Sequence, residues 1–197
     1  GIRLKKHGIR FIDAGVSGGP DGARDGACIM AGGDMKLLKE YEHLFRDMTV
    51  HRGYQMFEGT GAGHFVKMVH NGIEYGMMQA IGEGFELLKK STYNLDLIRI
   101  SDVYNHGSVI ESHLVEWLYD AFKLYGQDLK PISGSVSDSG EGLWTVKTAK
   151  EMKIPVKIIE GALKFRHLSQ KKPRYTGQVV SALRGQFGHH PVLKKKK

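Results

Sequence analysis

Lys67, His70, Asn71, Glu74 and Tyr75 fall at i, i+3, i+4, i+7 and i+8, the spacing an amphipathic helix normally gives its buried apolar face. At about 100° per residue the five share a sector of roughly 140°. Val66, Val69, Ile73 and Met77 occupy the remainder, so the helix is largely apolar away from the stripe. A cation, an imidazole, an amide, a carboxylate and a phenol side by side make a site, because burying them for packing alone would be costly. A solvated face would instead show repeated Lys/Glu pairs.

Two glycine clusters flank possible ligand positions. Val16-Ser17-Gly18-Gly19 follows a short strand and offers a hydroxyl with consecutive backbone amides, a geometry suited to a carboxylate or amide. Gly59-x-Gly61-x-Gly63 fails the dinucleotide fingerprint, since His64 stands where the last glycine is required. It reads as a strand-to-helix turn whose free N–H groups let a ligand approach the first turn of the stripe helix. Neither cluster is followed by the Gly-Lys-Ser/Thr of a P-loop.

Flanking patterns set the elements that must carry these residues. Arg10–Ala14 and Cys28–Ala31 read as short strands separated by the glycine-rich run 15–26, with a third strand at Tyr54–Phe57. Asp34 caps a helix reaching about Met48, with Leu37, Leu38, Tyr41, Leu44 and Phe45 on one face. From Gly61 onward the strong signals are helical: about 63–90, a helix capped by Asn94 or Asp96 and reaching Asn105, then 110–125. A loop at 126–142 precedes helices near 143–152, 156–168 (Pro155 at its start) and 175–187. The expected architecture is mainly α: residues 1–60 form the closing strands of an α/β Rossmann-like domain, 61–190 an all-helical catalytic and dimerisation domain, and 191–197 a basic tail.

Composition narrows the function. The 197 residues carry a net charge of +8, with 41% hydrophobic and 25% charged residues, as in ordinary soluble domains. Four positive charges are Lys194 to Lys197; without them 25 basic residues face 21 acidic ones, a balance of +4 with no basic stripe for nucleic acid. Lys67, Glu74, Glu83 and Glu86 interrupt the most apolar stretch, which excludes a membrane span there. One cysteine, Cys28, fits a reducing cytoplasm, and the ten histidines form no zinc pattern. His106 and His113 read as structural histidines, Trp117 and Trp144 as packing residues. Gly1 at the start suggests a fragment or a processed chain.

Read together, several segments resemble the 6-phosphogluconate dehydrogenase family. They are Asp13-Ala-Gly-Val-Ser-Gly-Gly19, Met30-Ala-Gly-Gly33, the run from Gly61 through Lys67-Met-Val-His-Asn-Gly-Ile-Glu-Tyr75 to Gln79, Asp138-Ser-Gly-Glu-Gly-Leu-Trp-Thr145, and Arg184-Gly-Gln-Phe-Gly-His-His190. The short stretch after residue 91 is similar to the family's short form. The resemblance implies oxidative decarboxylation of 6-phosphogluconate to ribulose 5-phosphate and CO2, with reduction of NADP or NAD. In it Lys67 is the general base at the 3-hydroxyl and Glu74 the acid that protonates C1 of the enediol. Ser17, Gly18, Gly19, His70 and Asn71 hold the carboxylate and hydroxyls, and Tyr75 and Arg166 the phosphate. It further implies a homodimer in which Arg184 and His190 of the C-terminal tail complete the neighbour's site. These roles agree with physical chemistry, because burial lowers a lysine pKa and raises that of a carboxylic acid. Two helical turns, roughly 10 Å, separate Lys67 from Glu74, so the two can address different atoms of an extended sugar acid.

Two departures leave alternatives open. The βαβ unit with its glycine fingerprint is missing, so this chain alone should bind the dinucleotide poorly. In addition, Leu143 stands in a turn where the family commonly carries a basic residue. The alternatives are a dehydrogenase for another β-hydroxy sugar acid and a non-catalytic dimerisation or binding module.

Overall fold

The computed structural model describes residues 1–188, and within them the chain divides into two compact units, Gly1–Asn71 and Gly72 onward. Ten helices and three strands are found among the described residues.

The first unit begins with a one-turn helix α1 (Ile2–Lys5) and builds a three-stranded sheet from β1 (Asp13–Ser17), β2 (Ala27–Gly33) and β3 (Thr49–Glu58), in the order β1-β2-β3. β1 runs antiparallel to β2, with Asp13 opposite Gly32 and Ser17 opposite Cys28. β2 and β3 are parallel, from Ala27 opposite Thr49 to Gly33 opposite Glu58. Ala27, Ile29, Ala31, Leu38 and Phe45 form its buried core.

Sequence reading placed the first strand too early and treated residues 15–26 as loop. The strand instead continues through Gly15 to Ser17 because β2 supplies ladder partners along its full length. The second half of the glycine run then folds into α2 (Gly19–Asp25), with Gly18 at φ 127° as its N-cap and Pro20 in the first turn. β3 also begins earlier than its local composition suggests, because the parallel partner pulls Thr49 onto the ladder. The single helix expected at 34–48 is two, α3 (Met35–Glu40) and α4 (Glu42–Met48), broken at Tyr41. Asp34 does cap the first, accepting the Leu37 N–H at 3.0 Å. The break resets the helical phase, so Leu44 is exposed while Leu37, Leu38 and Phe45 stay buried.

The long helix α5 (Ala62–Lys90) starts in the first unit, and the division between the units falls within it. Beyond it the second unit comprises α6 (Leu97–Tyr104), α7 (His113–Tyr125), α8 (Glu141–Glu151), α9 (Lys157–Ser169) and α10 (Tyr175–Gly188). Asp96 caps α6 through the Ile98 and Arg99 N–H groups, and Ser112 caps α7. Met78, Phe85, Leu118, Phe122, Val179 and Leu183 centre the main core. A second cluster joins Tyr75, Val146, Ala162 and Leu163, with Leu143 packed against it. Glu86, buried on α5, fastens the start of α10 by accepting from the Thr176 N–H at 3.2 Å and from the Thr176 hydroxyl, with Lys90 at 2.5 Å and Arg174 at 3.4 Å. Burial opposes its charge, yet these partners outweigh that and hold the carboxyl down at about 2.

The faces of α5 around the polar stripe differ little in burial. Tyr75 is buried and Lys67, His70, Asn71 and Glu74 are half-buried, whereas Ile73, on the side expected to be simply apolar, is 53% exposed and Met77 is also exposed. Trp117 packs on Phe187 with ring centroids 5.2 Å apart, as expected of a packing residue. Trp144 does not: it projects from α8 and is 55% exposed, its neighbour Thr145 being the residue that turns inward.

Candidate active site

In the first unit the sheet presents one face of β1 to the start of α5. Asp13 is 2% exposed and accepts N–H groups from Gly61 and from His64, the latter at 2.8 Å. These are orphan donors of the first helical turn, so the chain's own carboxylate already occupies the helix N-terminus that Gly59–Gly63 was expected to open to a ligand. Two residues along, Gly15 lies against Lys67: a Cβ there would stand 2.4 Å from the Lys67 Cβ, which only glycine avoids. The strand period of two then places Ser17 on the face that carries Asp13 and Gly15. Gly18 and Gly19, at φ 127° and 58°, turn the chain immediately after it. Ser17, Gly18 and Gly19 thus follow directly from the strand whose backbone supports Lys67.

Lys67 Nζ lies 3.3 Å from His70 Nδ1, which lies 2.9 Å from Asn71 Oδ1. A ring nitrogen either accepts or donates. Nδ1 therefore accepts from the Lys67 ammonium in one tautomer and donates to the Asn71 carbonyl in another. The three side chains form one hydrogen-bonded group on one helix face.

In the second unit Tyr75 is the organising side chain. Its hydroxyl donates to Asp138 Oδ1 at 2.8 Å and lies 3.4 Å from Ser139 Oγ. The ring rests 3.4 Å from the Arg166 guanidinium carbon, a cation–π contact. Gly142 permits this, because a Cβ there would come within 2.3 Å of the ring. Burial pushes the Tyr75 phenol up, with Arg166 pulling the other way. Arg166 is 2% exposed, and burial brings it down to about 10; the nearby charge of Arg184, itself buried on α10, adds to the effect, while Tyr75, Glu74 and Asp138 oppose it. The protein hydrogen bonds of Arg166 are weak ones, to the Ser137 carbonyl at 3.4 Å and the Met78 sulfur at 3.6 Å. Among the described residues no carboxylate stands within ion-pair distance of it. Two buried guanidinium groups without such a partner favour an anion.

Asp138 faces this group. Burial opposes its charge, but the Gly140 N–H at 2.9 Å, the Tyr75 hydroxyl, His167 at 3.4 Å and Arg166 hold its carboxyl below the ordinary range. Sequence reading missed Asp13, Asp138 and His167 as site partners. Asp138 sits two residues before a glycine-started helix, a signal that could have marked it. Nothing in the sequence marked His167. Leu143 packs into the apolar cluster beside Tyr75 and supplies no cation. His190 lies outside the described residues. Among those residues no group of three His, Cys, Asp or Glu could hold a metal ion, and no helix is long and apolar enough to cross a membrane.

A small α/β sheet unit followed by a long helix and a helical bundle is a fold shared with solved dehydrogenase structures. A 3-hydroxyisobutyrate dehydrogenase structure from Mycobacterium tuberculosis shares this fold over 90% of the chain and 62% of its own, at TM-score 0.68 and 20% identity. Residues 63–196 match the 6-phosphogluconate dehydrogenase C-terminal domain, and residues 2–58 match the NAD binding domain of 6-phosphogluconate dehydrogenase. The chain belongs to the 6-phosphogluconate dehydrogenase family. It is 47% identical over 98% of its length to the Bacillus subtilis protein named "Putative 6-phosphogluconate dehydrogenase YqeC". It is 40% identical over 94% to an NAD(+)-dependent, decarboxylating 6-phosphogluconate dehydrogenase of Haloferax volcanii. The chain spans 65% and 62% of those two relatives. The Plasmodium falciparum 6-phosphogluconate dehydrogenase, solved with NADP+ and with 6-phosphogluconate, aligns at TM-score 0.79 and 30% identity, over 87% of this chain and 39% of that one.

Proposed function

We propose that this chain is the substrate-binding and catalytic part of a 6-phosphogluconate dehydrogenase that yields ribulose 5-phosphate and CO2. The observation that carries this reading is the buried Arg166 guanidinium stacked on Tyr75 without a carboxylate ion pair, on a family background. Lys67, neutral when it acts, takes the proton of the 3-hydroxyl. A bound nicotinamide, NADP or NAD, supplies the hydride acceptor for C3. The resulting 3-keto acid loses CO2, and Glu74 returns a proton to C1 of the enediol. His70 and Asn71 orient the hydroxyls, and the Lys67–His70 contact positions the Lys67 amine. Ser17, Gly18 and Gly19 hold the carboxylate end, Tyr75 and Arg166 the phosphate. No Gly-x-Gly-x-x-Gly occurs in the 197 residues.

The resemblance assigns Arg184 to the neighbour's site, whereas its burial and its electrostatic effect on Arg166 of the same chain also suit a role in its own subunit. The resemblance assigns His190, with Arg184, to the neighbour's site in a homodimer. The exposed apolar side chains Ile73, Met77 and Ile158 suit a second copy of the chain. A mixed dimer in which only one subunit carries Arg184→Ala separates the two arrangements: the defect stays with the mutated subunit if Arg184 acts in cis.

Calorimetric titration of 6-phosphogluconate into the chain, with gluconate as control, tests the reading. Binding that requires the phosphate supports it, and equal binding of both sugar acids sinks it. A second reading, a dehydrogenase for an unphosphorylated β-hydroxy sugar acid, is favoured by the turn at 138–143, which supplies two carboxylates and no cation, with Glu141 Oε2 buried and lacking a hydrogen-bond partner.

A further inference from the structure

The donors beside Tyr75 suit an anion, and an anion of the chain's own already fills them. Asp138 Oδ1 accepts the Tyr75 hydroxyl at 2.8 Å and the Gly140 N–H at 2.9 Å, and Oδ2 faces His167 Nε2 at 3.4 Å. Gly140 is the N-cap of the 11-residue helix α8, so its amide lies at the positive end of a helix dipole. Arg166 supplies an independent observation: a buried cation on the same ring, whose hydrogen bonds go only to a carbonyl and a thioether. A tyrosine hydroxyl has one proton to donate. An incoming phosphate oxygen that takes it must displace Asp138.

We propose that Asp138 is a built-in competitor for the phosphate subsite, its carboxylate seated on the Tyr75 hydroxyl and the α8 N-terminus until a phosphoryl group displaces it. This rests on the assignment of Tyr75 and Arg166 to the phosphate. A phosphate monoester brings up to two negative charges and three acceptor oxygens, so it outbids one carboxylate for Arg166, Tyr75 and the amide. The neutral hydroxymethyl end of an unphosphorylated sugar acid cannot. Displacement has an outlet, since the turn 137–139 lies at the surface and the freed carboxylate returns to water. Asp138 therefore sharpens selection for a phosphorylated substrate at the expense of its affinity, which makes it a specificity-determining residue in a turn without basic side chains.

The test is calorimetry on the whole chain with 6-phosphogluconate, inorganic phosphate and gluconate, comparing wild type with Asp138→Asn and Asp138→Ser. Thermal melts confirm that each variant folds, and the serine variant covers any misfolding of the isosteric one. Loss of the competitor is expected to tighten both phosphate ligands about tenfold while gluconate binding stays unchanged. If wild type prefers 6-phosphogluconate but both folded variants bind it equally or more weakly, Asp138 positions Tyr75 and does not compete. If wild type shows no preference for the phosphorylated ligand, or no binding of either, the phosphate assignment itself fails and this proposal with it.

Discussion

Asp13 and Asp138 both place a carboxylate at the start of a helix, α5 in the first unit and α8 in the second. Asp13 is sealed, its oxygens taken by two backbone amides at the junction of strand and helix. The Asp138 side chain is 18% exposed and shares its oxygens among an amide, a phenol and an imidazole, next to a buried guanidinium. The first carboxylate has nowhere to go and therefore fixes a fold. The second can exchange with solvent and with another anion, so the same chemistry becomes part of a binding site. Burial and the identity of the donors separate the two roles, not residue type.

The same contrast runs through the two groups of site residues. Lys67, His70 and Asn71 form a hydrogen-bonded group supported by strand backbone, to which we assign proton transfer, while Tyr75 and Arg166, with Arg184, are the group we assign to the anion in the helical unit. The division predicts different kinetic signatures in the full-length enzyme. Lys67→Met should lower kcat by about 10³-fold or more with KM little changed, because it removes a group needed only in the transition state. Steady-state kinetics that retained turnover would exclude Lys67 as base. Arg166→Met, which keeps the packing volume, should raise KM for 6-phosphogluconate by about 10²-fold with a smaller effect on kcat. A loss confined to kcat would erase the distinction between the two groups.

Stability offers a third comparison, between the sealed Asp13 and the fastener Glu86. Asp13→Ala leaves the Gly61 and His64 amides without their acceptor and should cost about 1–3 kcal/mol in urea denaturation. An effect within the error of the melt would show that water replaces the carboxylate. Glu86 titrates near 2 in the folded chain, below its ordinary value of 4.5. A depressed acid contributes stability above its unfolded pKa and loses it as pH falls, here between about 5 and 2. Since Lys90 and Arg174 are largely exposed, screening limits this contribution to about 1–3 kcal/mol. Glu86→Gln should flatten stability across that interval, and an unchanged pH profile would assign the acid sensitivity elsewhere. The smallest expected change is Gly142→Ala, whose Cβ would push the Tyr75 ring off Arg166 and weaken phosphate-dependent binding by about tenfold.

The legible part of the molecule was the part governed by local rules. The α5 stripe declared itself by spacing, Asp34 and Asp96 by their capping positions, and the family by contiguous runs around Lys67 and Asp138. Strand limits were less legible, because β1 and β3 extend over residues of weak propensity when β2 offers hydrogen-bond partners. The site was legible as a set of residue types and silent about their company. No pattern in the sequence pairs Asp13 with the amides of Gly61 and His64, stacks Tyr75 on Arg166 across 91 positions, or brings His167 to Asp138. Sequence alone determined which groups exist and which helix face they share, since helical periodicity is a property of neighbours along the chain. Tertiary structure alone decided that Asp13 is locked and Asp138 exchangeable, that Tyr75 of α5 turns inward while Ile73 faces out, and that Arg166 lacks a carboxylate ion pair. Burial and long-range pairing set those outcomes, and both exist only once the chain has folded.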